Sequence, residues 1–231
     1  IETNDDRIAN MIESIDISSK VDTLVAEATI AENVCEVQES VATIESIIPT
    51  TENISETDRQ EMVKCIKSQI NCAFGTKQEA SAITQYETAK KATVGRKNDK
   101  FYKKQISDID GYSIYVGGKV DGIKEDGTVI EVKNRMRRFF DPLPEYDVAQ
   151  LQTYLFILDS KKGELVEQLK GSPPTLKTTE LAVDTNLWNT VLEPRIIKFC
   201  KALIKLLSDP ELQKRFNGGS AHDREQIISE L

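Results

Sequence analysis

The chain has 231 residues, 39% hydrophobic and 29% charged, enough to bury a core in one large domain or in one domain with an appendage. No apolar run approaches the ~20 residues of a membrane span and the first residues lack a secretory-signal pattern, so an intracellular protein with no membrane insertion is expected. A net charge of −8 argues against a uniformly basic binding surface.

The charge is unevenly spread. Residues 1–60 are acidic, whereas Lys90, Lys91, Arg96, Lys97, Lys100, Lys103 and Lys104 stand against a single acid, Asp99. Arg135, Arg137 and Arg138 form a second basic group. A basic run is usually a solvated surface, but two of them flanking a pair of carboxylates are better explained by a polyanionic substrate. Four cysteines (Cys35, Cys65, Cys72, Cys200) contain no CxxC pair and sit in apolar segments, as buried free thiols would. The one histidine, His222, lies in a polar tail, which leaves no ligand set for zinc.

In chain order, residues 1–54 form an acidic helical region with helices expected over Asp6–Ile15 and Val21–Ser46. It is either an accessory region or a partner-binding one. Ser55-Glu56-Thr57-Asp58 has the form of a capping box, and a helix should follow to about Ala73, with Met62, Cys65, Ile66 and Ile70 on its apolar face. Gly75 is expected to break it, and Thr76 to open a second helix to about Lys91 with Glu79, Ile83 and Tyr86 on one stripe. Residues 92–100 should be a loop.

From Phe101 the apolar period changes to two. Strands are expected over Phe101–Ile106, Tyr112–Val116, Lys119–Lys124 and Thr128–Asn134, with Gly117-Gly118 as a two-residue turn. A loop over 135–144 leads to a buried helix, Glu145–Asp159, then to strands near 163–170 and 175–183 on either side of Pro173-Pro174. A long helix, Asn186–Leu207, should kink at Pro194, and the tail should hold a short helix and a polar end.

The chemistry gathers at Gly118-Lys119-Val120-Asp121-Gly122 and, nine residues later, Glu131-Val132-Lys133. Residues two apart on a strand share a face, so Glu131 and Lys133 project together while Val132 packs behind them. Their register with Asp121 depends on the turn. A two-residue Asp126-Gly127 loop would turn Asp121 away from Glu131; a three-residue loop, Glu125-Asp126-Gly127 with Gly127 left-handed, sets the two acids opposite each other. The three-residue loop is expected, because two carboxylates and an ammonium on one surface suit a divalent-metal site. An exposed Glu131–Lys133 ion pair is the commoner meaning of Glu-x-Lys, but Val129, Ile130 and Val132 mark a central strand. Glu79 can also be read as the third residue of a Thr76 capping box.

This order of elements resembles the PD-(D/E)xK nuclease superfamily: Gly118-Lys119-Val120-Asp121-Gly122, Glu131-Val132-Lys133, then Gln150-Leu151-Gln152 with Leu155. Within it, Gly75, Glu79, Ala82 and Tyr86 look like the lambda exonuclease/YqaJ branch, with the RecB-type nuclease domain close behind. The likeness covers roughly residues 60–160, and Val120 stands where the name has proline. It implies an α/β (α+β) fold, a central mixed sheet flanked by helices in a restriction-endonuclease-like core. Read along the chain, the domains expected are 1–54 (accessory), 55–210 (nuclease) and 211–231 (polar tail). As roles it implies Mg²⁺ or Mn²⁺ held by Asp121, Glu131, the Val132 carbonyl and Glu79, and Lys133 orienting or deprotonating the attacking water. One of Gln150 and Gln152 would support that network, since the two lie about 200° apart on a helix and only one can face the site; Gln150, four residues before Tyr154, is favoured. Lys97, Lys100, Lys103, Arg135, Arg137 and Arg138 would contact nucleic acid. The activity implied is a 5′-to-3′ exodeoxyribonuclease of viral or phage-type replication, recombination or repair, with DNA as substrate, a single-strand-annealing or replication protein as partner, and possible homo-oligomers. The alternatives are a RecB-like single-strand nuclease, an RNA endonuclease, or a non-catalytic nucleic-acid-binding protein on the same fold.

Overall fold

The computed structural model describes residues 4–15, 18–30, 34–48, 54–95, 100–135, 137–169 and 174–231. They pack as two compact units, Ile1–Lys77 with Lys205–Leu231, and Gln78–Ile204.

The first unit is helical. Helices α1 (Asn4–Ser14), α2 (Ser18–Ile30) and α3 (Val34–Ile47) stand where two helices were expected, and the joint between α2 and α3, residues 31–33, lies outside the described residues. Their buried positions are Ile8, Ile15, Val21, Ala28, Val37, Ile44 and Ile48. Arg59 ties the end of α3, donating from Nε to the Ile48 carbonyl at 2.9 Å and from Nη2 to that of Glu45, carbonyls the helix itself leaves unpaired.

Helix α4 runs unbroken from Glu56 to Lys90, 35 residues. The Ser55 capping box forms as expected: Ser55 Oγ accepts from the Asp58 N–H at 3.1 Å, and Asp58 accepts from the Ser55 N–H at 3.3 Å. The expected break at Gly75 does not occur. A Cβ there would meet nothing within 4 Å, so no close approach calls for glycine, and a helical glycine costs only about 1 kcal/mol relative to alanine. Met62, Ile66 and Ile70, spaced by one turn, are buried. The tail is more ordered than its composition suggests. After α7 (Glu193–Ser208) come α8 (Pro210–Gly218) and α9 (Ala221–Glu230), the latter opened by a Ser220–Asp223 capping box and burying Ile227. Cys65 and Cys200 are half-buried and Cys72 is exposed, all three free, so the expected burial is not met at any of them; the Cys35 side chain lies outside the described residues.

The second unit is the expected mixed α/β core. Its sheet has the order β1 (Val94–Gly95), β4 (Gly122–Lys124), β5 (Val129–Arg135), β6 (Lys162–Leu169), β7 (Thr175–Ala182). Strands β5 and β6 are parallel, joined through helix α5 (Glu145–Leu158); the other neighbours are antiparallel. Central parallel strands are buried on both faces, which is why β6 reads Gly-Glu-Leu-Val-Glu-Gln with every side chain inside. One face packs Ala82, Ile83 and Tyr86 of α4 on Ile130, Val132 and Val166; the other packs Leu151 and Leu155 of α5 on Val120, Val129 and Leu165. Buried Glu164 is met by Lys124 Nζ at 2.7 Å and by Tyr86 Oη, which donates at 2.9 Å. Burial, then this carboxylate, pushes the Tyr86 phenol up to about 12.

Three expectations change here. Val94 and Gly95, placed in a loop, form the short edge strand β1. The ribbon β2 (Phe101–Ile109) and β3 (Tyr112–Lys119) turns at Asp110-Gly111, both at positive φ, rather than at Gly117-Gly118. Asp-Gly is the stronger two-residue turn signal. The glycine pair sits inside β3 for a different reason: a Cβ on Gly117 would come within 2.8 Å of the Phe101 ring, and one on Gly118 within 2.7 Å of the Tyr154 ring. Lastly, α6 (Thr185–Leu187) passes into α7 through a π-helical turn over Trp188–Leu192, directly before the Glu193-Pro194 step where a kink was expected.

Candidate active site

The turn between β4 and β5 has the three-residue form. Lys124 and Thr128 close it, the Lys124 N–H donating to the Thr128 carbonyl at 2.9 Å, and Gly127 takes φ +81°. The register Gly122↔Ile130 and Ile123↔Val129, carried one step further, sets Asp121 opposite Glu131. Asp121 lies in the break between β3 and β4, and its Oδ2 accepts from the Val132 N–H at 2.7 Å. Gly122 crosses Val94 of β1 so closely that any Cβ there would collide with the valine side chain.

Because β5 alternates, Ile130 and Val132 enter the core against α4, while Glu131, Lys133 and Arg135 face α5. Lys133 Nζ lies 2.8 Å from Glu131 Oε1 and donates to Gln150 Oε1 at 2.7 Å. Gln150 in turn donates from Nε2 to Tyr154 Oη at 3.3 Å. Gln152 turns the other way. It donates to the Ala182 carbonyl at 2.8 Å and accepts from the Asp184 N–H at 2.8 Å, closing the end of β7. Of the two glutamines, Gln150 is therefore the one beside Lys133.

Glu131 is almost fully buried, and its Oε2 has no hydrogen-bond partner among the described residues. Its carboxyl is pushed up to about 8, by burial first, then by the Asp121 carboxylate, with Glu79 adding in the same direction against Lys133. Burial likewise raises Asp121, opposed by the Val132 N–H and Lys133. For Lys133, burial favours the neutral amine, but Glu131, Asp147 and Asp121 outweigh it and the ammonium is held above its ordinary range. Glu79 is half-buried on α4, one turn before Ile83. Since α4 is continuous through residue 76, Glu79 is not at a helix start and the capping-box alternative falls away.

No family model matches the sequence, and no curated protein is significantly similar to it. Among solved structures, the chain is similar to SSO0001 at 18% identity over 64% of this chain and 67% of that one, with a TM-score of 0.42. It is also similar to an alkaline exonuclease, LHK-Exo, from Laribacter hongkongensis, at 15% identity over 73% and 90% with a TM-score of 0.45. The same exonuclease in complex with dAMP gives 17% identity over 80% and 89%, with a TM-score of 0.44. Likenesses this shallow assign no activity, which has to be read from the side chains themselves.

Among the described residues no three His, Cys, Asp or Glu side chains converge as a ready metal cluster. The pair Asp121 and Glu131 nevertheless suits a hard divalent cation. Both are oxygen donors, one carries a buried oxygen without a partner, and their like charges are costly side by side. Mg²⁺ in particular is often held by one or two carboxylates and completes its shell with water. The Val132 carbonyl points to the same strand edge as its N–H, toward Asp121.

The expected nucleic-acid contacts divide. Lys100, Lys103, Arg137 and Arg138 are exposed; Lys97 lies outside the described residues. Arg135 is not a surface cation. It is buried, with Nη2 2.5 Å from Asp147 Oδ2 and Nε 2.8 Å from Glu167 Oε1, so both of its faces are already neutralised within the fold. Asp147 and Glu167 were not singled out in the sequence. For Asp147 a signal existed: Asp147, Gln150 and Tyr154 fall at i, i+3 and i+7, one stripe of α5, and Asp147 Oδ1 reaches to 3.7 Å from Lys133. Glu167 had none, since an acid inside an apolar strand run reads as an ordinary outward position.

Proposed function

We propose that the chain is a metal-dependent nuclease that hydrolyses phosphodiester bonds in DNA, a member of the PD-(D/E)xK superfamily by its motif order. The observation that carries this is one cluster: two buried carboxylates of raised pKa, Asp121 and Glu131, with the Lys133 ammonium 2.8 Å from one of them and fixed from behind by Gln150.

When bound at Asp121 and Glu131, Mg²⁺ or Mn²⁺ would supply Lewis-acid stabilisation of the charge that builds on the phosphoryl oxygens. Lys133 is held protonated by three surrounding acids, so it donates hydrogen bonds and positive charge rather than taking a proton from water. It orients the attacking water or a non-bridging phosphate oxygen. Gln150 restrains the Lys133 ammonium, and Tyr154 restrains Gln150, so the donor is aimed before substrate arrives. Glu79, close enough to act on Glu131, adds negative potential that favours a cation over the empty pair.

The test is cleavage of 5′- and 3′-end-labelled duplex DNA in Mg²⁺ by the wild type beside Asp121→Ala and Lys133→Ala. Removal of an electrostatic group of this kind lowers kcat by about 10²–10³ with the fold intact. Unchanged cleavage in either variant overturns the site. The finer reading is a 5′-to-3′ exonuclease acting with a single-strand-annealing partner. Release of 5′-label as mononucleotide first supports the polarity; preference for single strands or RNA moves the protein to the RecB-like or RNA-cleaving alternative.

A further inference from the structure

The ribbon β2–β3 lies outside the five-stranded sheet and is held by one face. On that inner face Tyr102 packs against the Val120–Leu151–Leu155 cluster, and the Lys104 ammonium donates to the Phe156 carbonyl at 3.1 Å and pairs with Asp159 at 2.5 Å. Gly118 lies under the Tyr154 ring. Directly paired residues of an antiparallel ribbon share a face, so Phe101↔Lys119, Lys103↔Gly117 and Gln105↔Tyr115 make up the outer one, and all six are exposed.

Two aromatic rings on that face remain in water, Phe101 57% exposed and Tyr115 49% exposed. The Phe101 ring lies on the bare backbone of Gly117, so one of its faces is covered and the rest is open. Lys103 Nζ stands 5.0 Å from the Tyr115 ring centroid. An aromatic laid over a cross-strand glycine stabilises ribbons in its own right, and that accounts for the Phe101–Gly117 contact. It does not account for Tyr115 or for Lys103 and Lys119 beside the rings. The arrangement also has a direction, since Lys119 is followed by Val120 and the Asp121 carboxylate.

Resting on the nuclease reading, we infer that the outer face of the β2–β3 ribbon is a stacking platform for the bases of a single DNA strand, with Lys103 and Lys119 on its phosphates. Phe101 and Tyr115 are four strand positions apart, about 13 Å, so they serve separate bases. Stacking on an aromatic face accepts every base, so the platform holds a strand without reading its sequence. Bases so held enter the site from the ribbon end where Phe101 pairs with Lys119.

The experiment is fluorescence anisotropy of labelled oligothymidylate, and of a duplex of equal length, with wild-type protein in EDTA. Phe101→Leu and Tyr115→Leu keep apolar bulk over the ribbon and remove the stacking face. Each is expected to weaken single-strand binding about tenfold while leaving duplex binding unchanged. Tyr115→Leu should keep the wild-type melting temperature, Phe101→Leu should lower it slightly through loss of the ring over Gly117, and Phe101→Trp should restore single-strand binding. Lys103→Gln and Lys119→Gln should each flatten the log–log salt dependence by about 0.7 where the Leu variants do not. Leucine variants that bind oligothymidylate like the wild type, or that lose duplex and single strand equally, overturn the platform. Wild-type cleavage of duplex in Mg²⁺ reports separately on the nuclease reading: cleavage with unchanged Leu-variant binding sinks the platform alone, and selective loss of binding without cleavage sinks the nuclease alone.

Discussion

In the helical unit Arg7 pairs with Asp58 at 2.6 Å and Glu61 at 3.6 Å while 42% of its side chain stays in water; in the sheet unit Arg135 lies between Asp147 and Glu167, whose side chains are 1% and 0% exposed. The first arrangement contributes little to stability, because exposed pairs gain little Coulomb energy over hydration. The second places charge where desolvation is severe, and it holds only if every partner is present. The sheet unit repeats this at Glu164 with Lys124 and at Glu131 with Lys133, all from strands around one side of α5 or α4. A fold concerned with stability alone would fill those positions with apolar side chains. The teaching of the contrast is that the buried charges on the α5 face of the sheet, Glu131, Arg135, Asp147 and Glu167, surround Lys133, with Asp147 at 3.7 Å from its ammonium.

The contrast breaks most sharply by removing one partner on each side. Arg135→Ala removes the cation hydrogen-bonded to two buried carboxylates, leaving them only the more distant ammonium groups of Lys133 (3.7 Å from Asp147) and Lys177 (4.0 Å from Glu167), and is expected to destabilise the protein by about 3–5 kcal/mol. Arg7→Ala should cost no more than about 1 kcal/mol. Urea denaturation of both variants measures this, and equal shifts in midpoint would show that the buried network carries no special dependence. Next in size is Gly163→Ala, whose Cβ would lie 2.7 Å from Leu151 Cδ1 and 3.1 Å from the Val129 carbonyl, where β5, β6 and α5 meet. Forcing α5 off the sheet there should cost about 1–3 kcal/mol and lower cleavage with it, because Gln150 rides on the same helix. A wild-type melting temperature in Gly163→Ala would mean that α5 is less tightly seated than these distances imply.

The carboxylate pair gives a pH signature that no exposed pair shares. The Glu131 carboxyl titrates near 8 in the folded chain against an ordinary value of 4.5, so between those pH values the folded state holds a proton that the unfolded state has lost. Stability contributed at this site is therefore present below about pH 4.5 and is lost as pH rises toward 8. A cation binds the ionised pair, so its stabilising effect should grow over the same range. Thermal melts with EDTA or Mg²⁺ at pH 5.5 and 8.5 should show the larger Mg²⁺ shift at pH 8.5, and Glu131→Gln should abolish the difference. An equal shift at both pH values would separate the pair from metal binding. Half-buried Asp58 behaves in the opposite sense: Ser55 and then Arg7 hold it below its ordinary range, so its contribution is present above pH 3.8 and fades only as pH falls below that value.

Much of the site was legible because it depends on local rules: strand alternation set Glu131 and Lys133 on one face, and the loop chemistry of Glu125-Asp126-Gly127 set the register of Asp121. The sheet's mixed character was implied by the resemblance to the PD-(D/E)xK superfamily, and the parallel β5–β6 pair among antiparallel neighbours bears it out. What stayed hidden was tertiary. The use of Gly117 and Gly118 as floors for the Phe101 and Tyr154 rings, rather than as a turn, depends on a partner strand and a helix distant in sequence. The burial of Arg135 depends on Glu167, 32 residues away, and nothing local distinguishes it from exposed Arg137 and Arg138.

The smallest expected effect concerns Gly75, where local reasoning asked for a break and the helix continues. No positive φ and no close neighbour requires glycine at that position, so it adds only backbone entropy to the unfolded state. Gly75→Ala should raise stability by about 0.5–1 kcal/mol in urea titration, with cleavage unchanged. A loss of stability would mean that α4 bends at this point to join its two halves. Glu79, one turn beyond, would then be positioned by that bend rather than by its packing stripe with Ile83 and Tyr86.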